Sequence, residues 1–333
     1  MKMNFSAKSI GYSIAGIFMF FYIIGVYWSF SVDPIDVKNE VTVAAKADKV
    51  TPVVGYTTTT TLIKVAESML DKPGGYISND ALPPGVLLDN MPAWEFGVLQ
   101  MVRDMALVLR KDFSRSQSQS LENKHITTAQ PKFNIDNKSW AMPSAESEYR
   151  KAIESLYSYR NALVGISKVK NDTAQFYARA DNLTSYFDEV QKRLGSYSQR
   201  LSASVGKDQI NTDLAGDNMA KQSSIQASHS EVRTSWWQLD DIFYESRGAA
   251  WALLHFFKAI EIDFDSVLEN KNAKISLQQI IRELESSQQT LWSPMVLNGD
   301  GFGVLANHSL VMANYISRAN AALIDLNELL RKG

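Results

Sequence analysis

The sequence predicts an all-α protein: an antiparallel helical bundle following a single N-terminal transmembrane helix. An uncharged apolar run fills residues 10–30. Apolar residues then recur at helical spacing through most of the chain. No alternating run of β-branched residues is long enough to demand a sheet.

The apolar run reads "IGYSIAGIFMFFYIIGVYWSF", and no charged residue lies between Lys8 and Asp33. At ~1.5 Å per residue it reaches about 31 Å, enough for a ~30 Å hydrocarbon layer. Tyr27 and Trp28 stand at its far end, where amphipathic rings favour the headgroup level. A cleaved signal peptide would have a shorter apolar region, ~7–15 residues. Ser29-Phe30-Ser31 has small-x-small spacing but follows bulky residues. The run is therefore read as an uncleaved anchor in the lipid bilayer. Lys2 and Lys8 precede it and Lys38, Lys46 and Lys49 follow it, so charge alone does not orient it. A short lysine-bearing tail resists translocation, which puts residues 1–9 in the cytoplasm and the body in the periplasm.

Residues 31–56 carry Pro34, Pro52 and several charges without a long apolar period, and read as a membrane-proximal tether. Residues 57–333 read as the helical extracytoplasmic domain. "TTTTTLIKVAESMLDK" places Leu62, Val65, Ala66 and Met69 on one face, and its threonines offer an N-cap. "AWEFGVLQMVRDMALVLRKDF" aligns Leu99, Val102, Ala106, Leu109 and Phe113. Ser144 to Val164 aligns Tyr149, Ile153, Leu156 and Leu163. From Phe176 to Leu201 the residues Phe176, Ala180, Leu183, Phe187, Val190, Leu194, Tyr197 and Leu201 are spaced 4-3-4-3-4-3-4. That is a heptad seam, and its aromatics favour packing within one bundle. Residues 236–264 and 276–291 are further helices. The last runs from about Val304 to Leu330 on a seam of Leu305, His308, Met312, Tyr315, Ala319, Ala322, Leu326 and Leu329. The polar stretches 114–133 and 206–235 read as excursions.

The chain has 333 residues, 45% of them hydrophobic, and a formal net charge of −2. It lacks the basic character that a phosphate backbone needs, so nucleic acid is not expected as a partner. It has no cysteine, which removes disulfides and thiolate metal sites. His125, His229, His255 and His308 are scattered without metal-ligand spacing, and no Gly-x-Ser-x-Gly elbow occurs. Neither a metal nor a cofactor is expected.

"DKPGGYISND", Asp71 to Asp80, has its lysine before its glycines and a helix before both, the reverse of a phosphate loop. Pro73 ends a helix, and Gly74 or Gly75 can take positive φ. The chain then stays irregular to Trp94, and irregular crossings of that length are uncommon without a role. Tyr76, Asp80, Asp89, Trp94 and Glu95 are its candidate binding residues. "NGDGFG", Asn298 to Gly303, fails as a calcium loop, because its fifth position is Phe302 and its twelfth Ser309. In "WWQLDDIFYESRGAAWALLHFFKAIE" the apolar face holds Leu239, Ile242, Phe243, Ala250, Leu253, Leu254, Phe257 and Ile260. Asp240, Tyr244, Arg247, Trp251 and His255 lie opposite, with Lys258. They form either a binding strip, with His255 as acid or base beside Asp240 or Glu245, or a second bundle interface.

The phrases "LDKPGGYISND", "LPPGVLLDNMPAWEFGVL", "RKDFSRSQSQS", "YARADNL", "QRLSASVG", "NTDLAGD" and "SPMVLNGDGFGVLANHSLVMANYISRANAALIDL" resemble domain-of-unknown-function family 2333 of Gram-negative bacteria. The resemblance covers essentially the whole chain. It implies a bacterial inner-membrane protein and assigns no catalytic residue. The expected function is a membrane-anchored envelope module that binds or scaffolds other envelope proteins. The alternatives are an anchored hydrolase of envelope glycan or lipid, using carboxylates such as Asp89, Glu95, Asp240 or Glu245, and a periplasmic sensing domain working through a membrane partner.

Overall fold

A computed structural model describes residues 7–116, 121–210, 229–291 and 308–332. The fold is all-α. Helix α1 (Ala7–Trp28) leads to α2 (Val37–Asp48), α3 (Tyr56–Asp71), α4 (Asn90–Val108), α5 (Lys124–Phe133), α6 (Ala145–Leu163) and α7 (Ala180–Ser202). After them come α8 (Leu239–Asp263), the short α9 (Asp265–Asn270), α10 (Lys274–Ser287) and α11 (His308–Lys332). Two four-residue strands, β1 (Lys207–Ile210) and β2 (His229–Val232), pair antiparallel at the base of the second polar excursion.

Among the described residues α1 is the one helix long and apolar enough to cross a membrane, and it lies almost wholly outside the bundle. Only its C-terminal part touches the rest. Gly25 is buried, and an added Cβ there would meet Pro84 at 3.6 Å and Leu88 at 3.7 Å.

The remaining long helices alternate in direction about α8, and side-chain pairs fix that alternation. Helix α3 starts beside the end of α8, where Asp263 accepts the Thr58 N–H at 2.6 Å. Helix α6 returns along α3 through Tyr157–Glu67 and Arg150–Asp71. Helix α7 descends along α8, with Tyr186 against Phe257 and Arg200 on Glu245. Helix α10 descends through Gln278–Glu261 and Arg247–Ser287, and α11 rises along α10 and α7 through Arg318–Glu283 and Ser198–Ser317. Helices α4 and α8 run parallel, from Gly97 against Glu245 and Ala249 to Phe113 against Phe264 at 5.2 Å. One end of the bundle therefore collects the connections α3–α4, α5–α6 and α7–α8 together with the end of α10. The α1 C-terminus packs at this same end.

The heptad seam of α7 is buried from Leu183 to Leu201, against α11 and α8. Phe176 precedes the helix and instead packs on Phe113 and Phe264. On α11 the buried face is Met312, Ile316, Ala319, Leu323, Leu326 and Leu330, so the expected seam drifts at alternate steps and Leu329 is exposed. Leu305 and "NGDGFG" lie outside the described residues, as does the middle of the excursion, 211–228.

Three local expectations are corrected. The tether contains α2, whose Val37, Val41 and Ala45 bury against Tyr56 and Ala259. Its i, i+4, i+8 spacing is too short a pattern to stand out in sequence. The first excursion contains α5, capped by Asn123 and buried through Ile126, Ala129 and Phe133. The threonines lie inside α3, all buried; the N-cap position is Gly55, without a side-chain cap. Asp263 supplies the missing acceptor from α8. Burial pushes its carboxyl up, and the Thr58 and Gly55 amides pull against that.

Candidate functional site

The expected Asp71–Trp94 crossing ends earlier than predicted, since α4 begins at Asn90, and Trp94 meets the α8 strip from within that helix. Trp94 packs edge-on against Trp251 with ring centroids 5.2 Å apart. Each part of this junction has a local cause.

The crossing begins with two tight glycines. Gly74 has φ +88° and Gly75 φ +72°, a region that favours glycine. At Gly74 an added Cβ would come 2.6 Å from the Trp28 indole, so the glycine also makes room for the last residue of α1. The turn is held from beneath by Glu95 on α4. Its carboxylate pairs with the Lys72 ammonium, both side chains being almost fully buried. It also accepts the Ile77 and Ser78 N–H groups at 2.8 Å each and the Ser78 hydroxyl. Lys72 donates in addition to the Gly75 carbonyl. Burial pushes the Glu95 carboxyl up, and Lys72, Ser78 and Ile77 oppose it. Tyr76 is buried edge-on against Tyr149 and donates to the Asn137 carbonyl at 3.1 Å. Asp80 packs over Gly85, and Asp89 caps α4 at the Asn90 N–H.

On α8 the expected strip is largely interior. Arg247, Trp251 and His255 are buried, while Tyr244 and Asp240 are half-buried. The helix is central, so both its faces meet neighbours. His255 is not poised for acid–base chemistry. Its Nδ1–H donates to the Trp251 carbonyl at 2.7 Å, and its Nε2 accepts the Ile35 N–H at 2.8 Å. Burial lowers its pKa to about 4, with the nearby Lys258 acting in the same direction. The neutral ring thereby clasps the segment after α1 to α8. Above the ordinary 6.5, native and unfolded chains are both neutral at this site. As pH falls from 6.5 toward 4 the unfolded chain takes up the proton first, so stability is lost across that window. The expected loss is about 2–3 kcal/mol at pH 4 relative to His255→Gln, read from denaturant midpoints at a series of pH values.

The proposed carboxylate pairs are largely committed elsewhere. Glu95 is tied to Lys72, and Glu245 is gripped by both terminal nitrogens of Arg200. Asp89 and Asp240 both lie close enough to Asp241 to raise its pKa, after the larger effect of burial.

Between α1 and this junction lies a cavity of about 920 Å³. One wall is the C-terminal half of α1, including Phe21, Gly25 and Val26. Pro84 and Leu88 close another side, and Trp94 and Trp251 the interior. Its polar contributions are few. Arg247 donates to the Ser287, Gln288 and Gln289 carbonyls at the end of α10, and among the described residues no carboxylate pairs with it. Burial lowers its pKa from the ordinary value, with Tyr244 opposing. The Trp251 indole N–H is fully buried without an acceptor among the described residues. Sequence reasoning missed the anchor wall and the prolines. The signal available was the uncharged phrase Ala81 to Leu88, "ALPPGVLL", between Asp80 and Asp89.

Comparison with the curated proteins and with the solved structures finds no match. A family model described as "Uncharacterized protein conserved in bacteria (DUF2333)" matches residues 2–333. That match takes in the apolar helix, the crossing and every helix of the bundle, and the chain belongs to this bacterial family.

Proposed function

We propose that the chain is a single-pass anchored module of the bacterial inner membrane that holds a membrane lipid between its anchor and a periplasmic bundle. The cavity between α1 and the crossing carries this reading, because α1 residues at bilayer depth form one of its walls. Its volume falls at the upper end of the roughly 300–1,000 Å³ typical of ligand pockets. The apolar lining suits acyl chain. Arg247 and the unpartnered Trp251 N–H suit a hydrogen-bond-accepting headgroup, and an unmade buried donor costs about 1–3 kcal/mol. Hydrolysis finds less support, since Glu95 and Glu245 are held in ion pairs.

The full chain, extracted in mild detergent, is expected to carry about one lipid in native mass spectrometry. Trp251→Phe keeps one aromatic ring and removes the N–H-bearing five-membered ring, and should lower lipid occupancy about five-fold. Leu88→Trp should intrude into the cavity from its wall and lower the occupancy as well. A lipid-free wild type, or equal lipid retention in all three proteins, would sink the proposal.

A further inference from the structure

The alternation of the helices gathers several turns at the end of the bundle from which α1 leaves. These turns expose large apolar side chains. In the α3–α4 crossing, Leu82 is 76% and Leu87 71% exposed, with Val86 between them. In the α5–α6 turn, Trp140 and Met142 are exposed. Immediately before α8, Trp236 and Trp237 are exposed, Trp237 to 84%. Among the described residues, these are the only exposed tryptophans.

The turns are neighbours. Asn79 donates to the Ser139 carbonyl at 3.1 Å, and Tyr76 to that of Asn137, which ties the first turn to the second. Asp241, at the start of α8, lies within the fields of Asp89 from the first turn and Lys138 from the second. The face is also continuous with the anchor. Pro84 packs on Gly25, one helical turn before Trp28, and so lies below the level that Trp28 marks. The phrase Ala81 to Leu88 carries no charge.

We infer that this end of the bundle is a second membrane-contact surface: the 82–87 turn enters the outer-leaflet headgroup layer as far as its boundary with the acyl chains, with Trp140, Trp236 and Trp237 at the interface beside it. The occupant is lipid because the surface continues that of α1 without a break. Tryptophan rings favour the headgroup level, and an uncharged proline-rich tip meets no charge-burial penalty there. Turns in this position need no regular structure, since they enter only the interfacial layer and their backbone stays within reach of water. The inference rests on the anchor reading of α1, but not on occupancy of the cavity.

The absence of cysteine allows unique labelling. Leu87→Cys, Trp237→Cys, Phe20→Cys and Ile275→Cys each replace an exposed side chain, so the core is undisturbed. Phe20 lies within α1, and Ile275 at the opposite end of the bundle. Each full-length variant is labelled with an environment-sensitive fluorophore and placed in nanodiscs containing bromine-labelled acyl chains. Labels at Leu87 and Trp237 are expected to shift to the blue and lose about half or more of their emission to the bromines, as Phe20 does and Ile275 does not. Labels at Leu87 and Trp237 that behave like Ile275 would overturn the inference, including the case where another protein or a second copy covers the face. The Phe20 label reports separately on the anchor: its loss of quenching removes the proposed span, whereas quenching at Phe20 alone removes only this surface.

Discussion

Glu95→Ala is expected to lower the stability of the bundle by about 3–5 kcal/mol, measured by chemical denaturation. The magnitude follows from what is stranded. Glu95 and Lys72 are both removed from water, and deleting the carboxylate leaves an ammonium with a single carbonyl partner. It also orphans the Ile77 and Ser78 amides and leaves the Ser78 hydroxyl only a long bond to the Pro92 carbonyl. Lys72→Met should cost less, because the carboxylate keeps those three donors. The double variant Lys72→Met/Glu95→Leu should be more stable than Glu95→Ala, since it leaves no charge unpaired. A cost below about 1 kcal/mol for Glu95→Ala would show that the crossing is not held by this carboxylate. The same variants should lose the lipid proposed above, because the crossing forms one wall of the cavity.

The second large effect is expected at the closest approach of two helices. Gly97 on α4 faces the Glu245 carbonyl and the Ala249 N–H of α8, and Gly248 on α8 faces the Trp94 carbonyl on α4. An added Cβ at either position would overlap backbone, and at Gly97 it would lie 2.8 Å from the Ala249 nitrogen. Backbone cannot rotate aside as a long side chain can. Gly97→Ala or Gly248→Ala should therefore cost about 3 kcal/mol or more, at the top of the range for overpacking. Ordinarily glycine to alanine within a helix gains about 1 kcal/mol, so the sign of the change is diagnostic. Gly195, on α7, has only the Asn320 side chain within 4 Å of an added Cβ. Gly195→Ala is the control, and a drop there equal to that at Gly97 would count against the close-packing explanation.

Long helices with a sustained apolar period were readable from sequence. The residues Leu183, Phe187, Val190, Leu194, Tyr197 and Leu201 mark α7 without help from tertiary structure. Short helices were harder, because α2 and α5 offer only three or four burying residues each. The face opposite the core on α8 shows a different difficulty. A helical wheel shows where apolar residues gather, but not how many neighbours a helix has. Arg247 and His255 were open between a binding strip and a second bundle interface, and each is buried against a backbone partner supplied from far along the chain. The crossing was recognisable as irregular, and its glycines as turn formers. That Gly74 also seats Trp28 depends on a contact between distant segments, which no local pattern encodes.

The two fastenings at the start of the bundle have a mechanical consequence. Trp28 bears on the Gly74 turn, and a few residues later the Ile35 amide is held by His255 in the central helix. No slack linker separates the anchor from its load. If α1 spans a bilayer as proposed, a tilt of it would reach α8 as through a lever arm rather than be absorbed by a swivel.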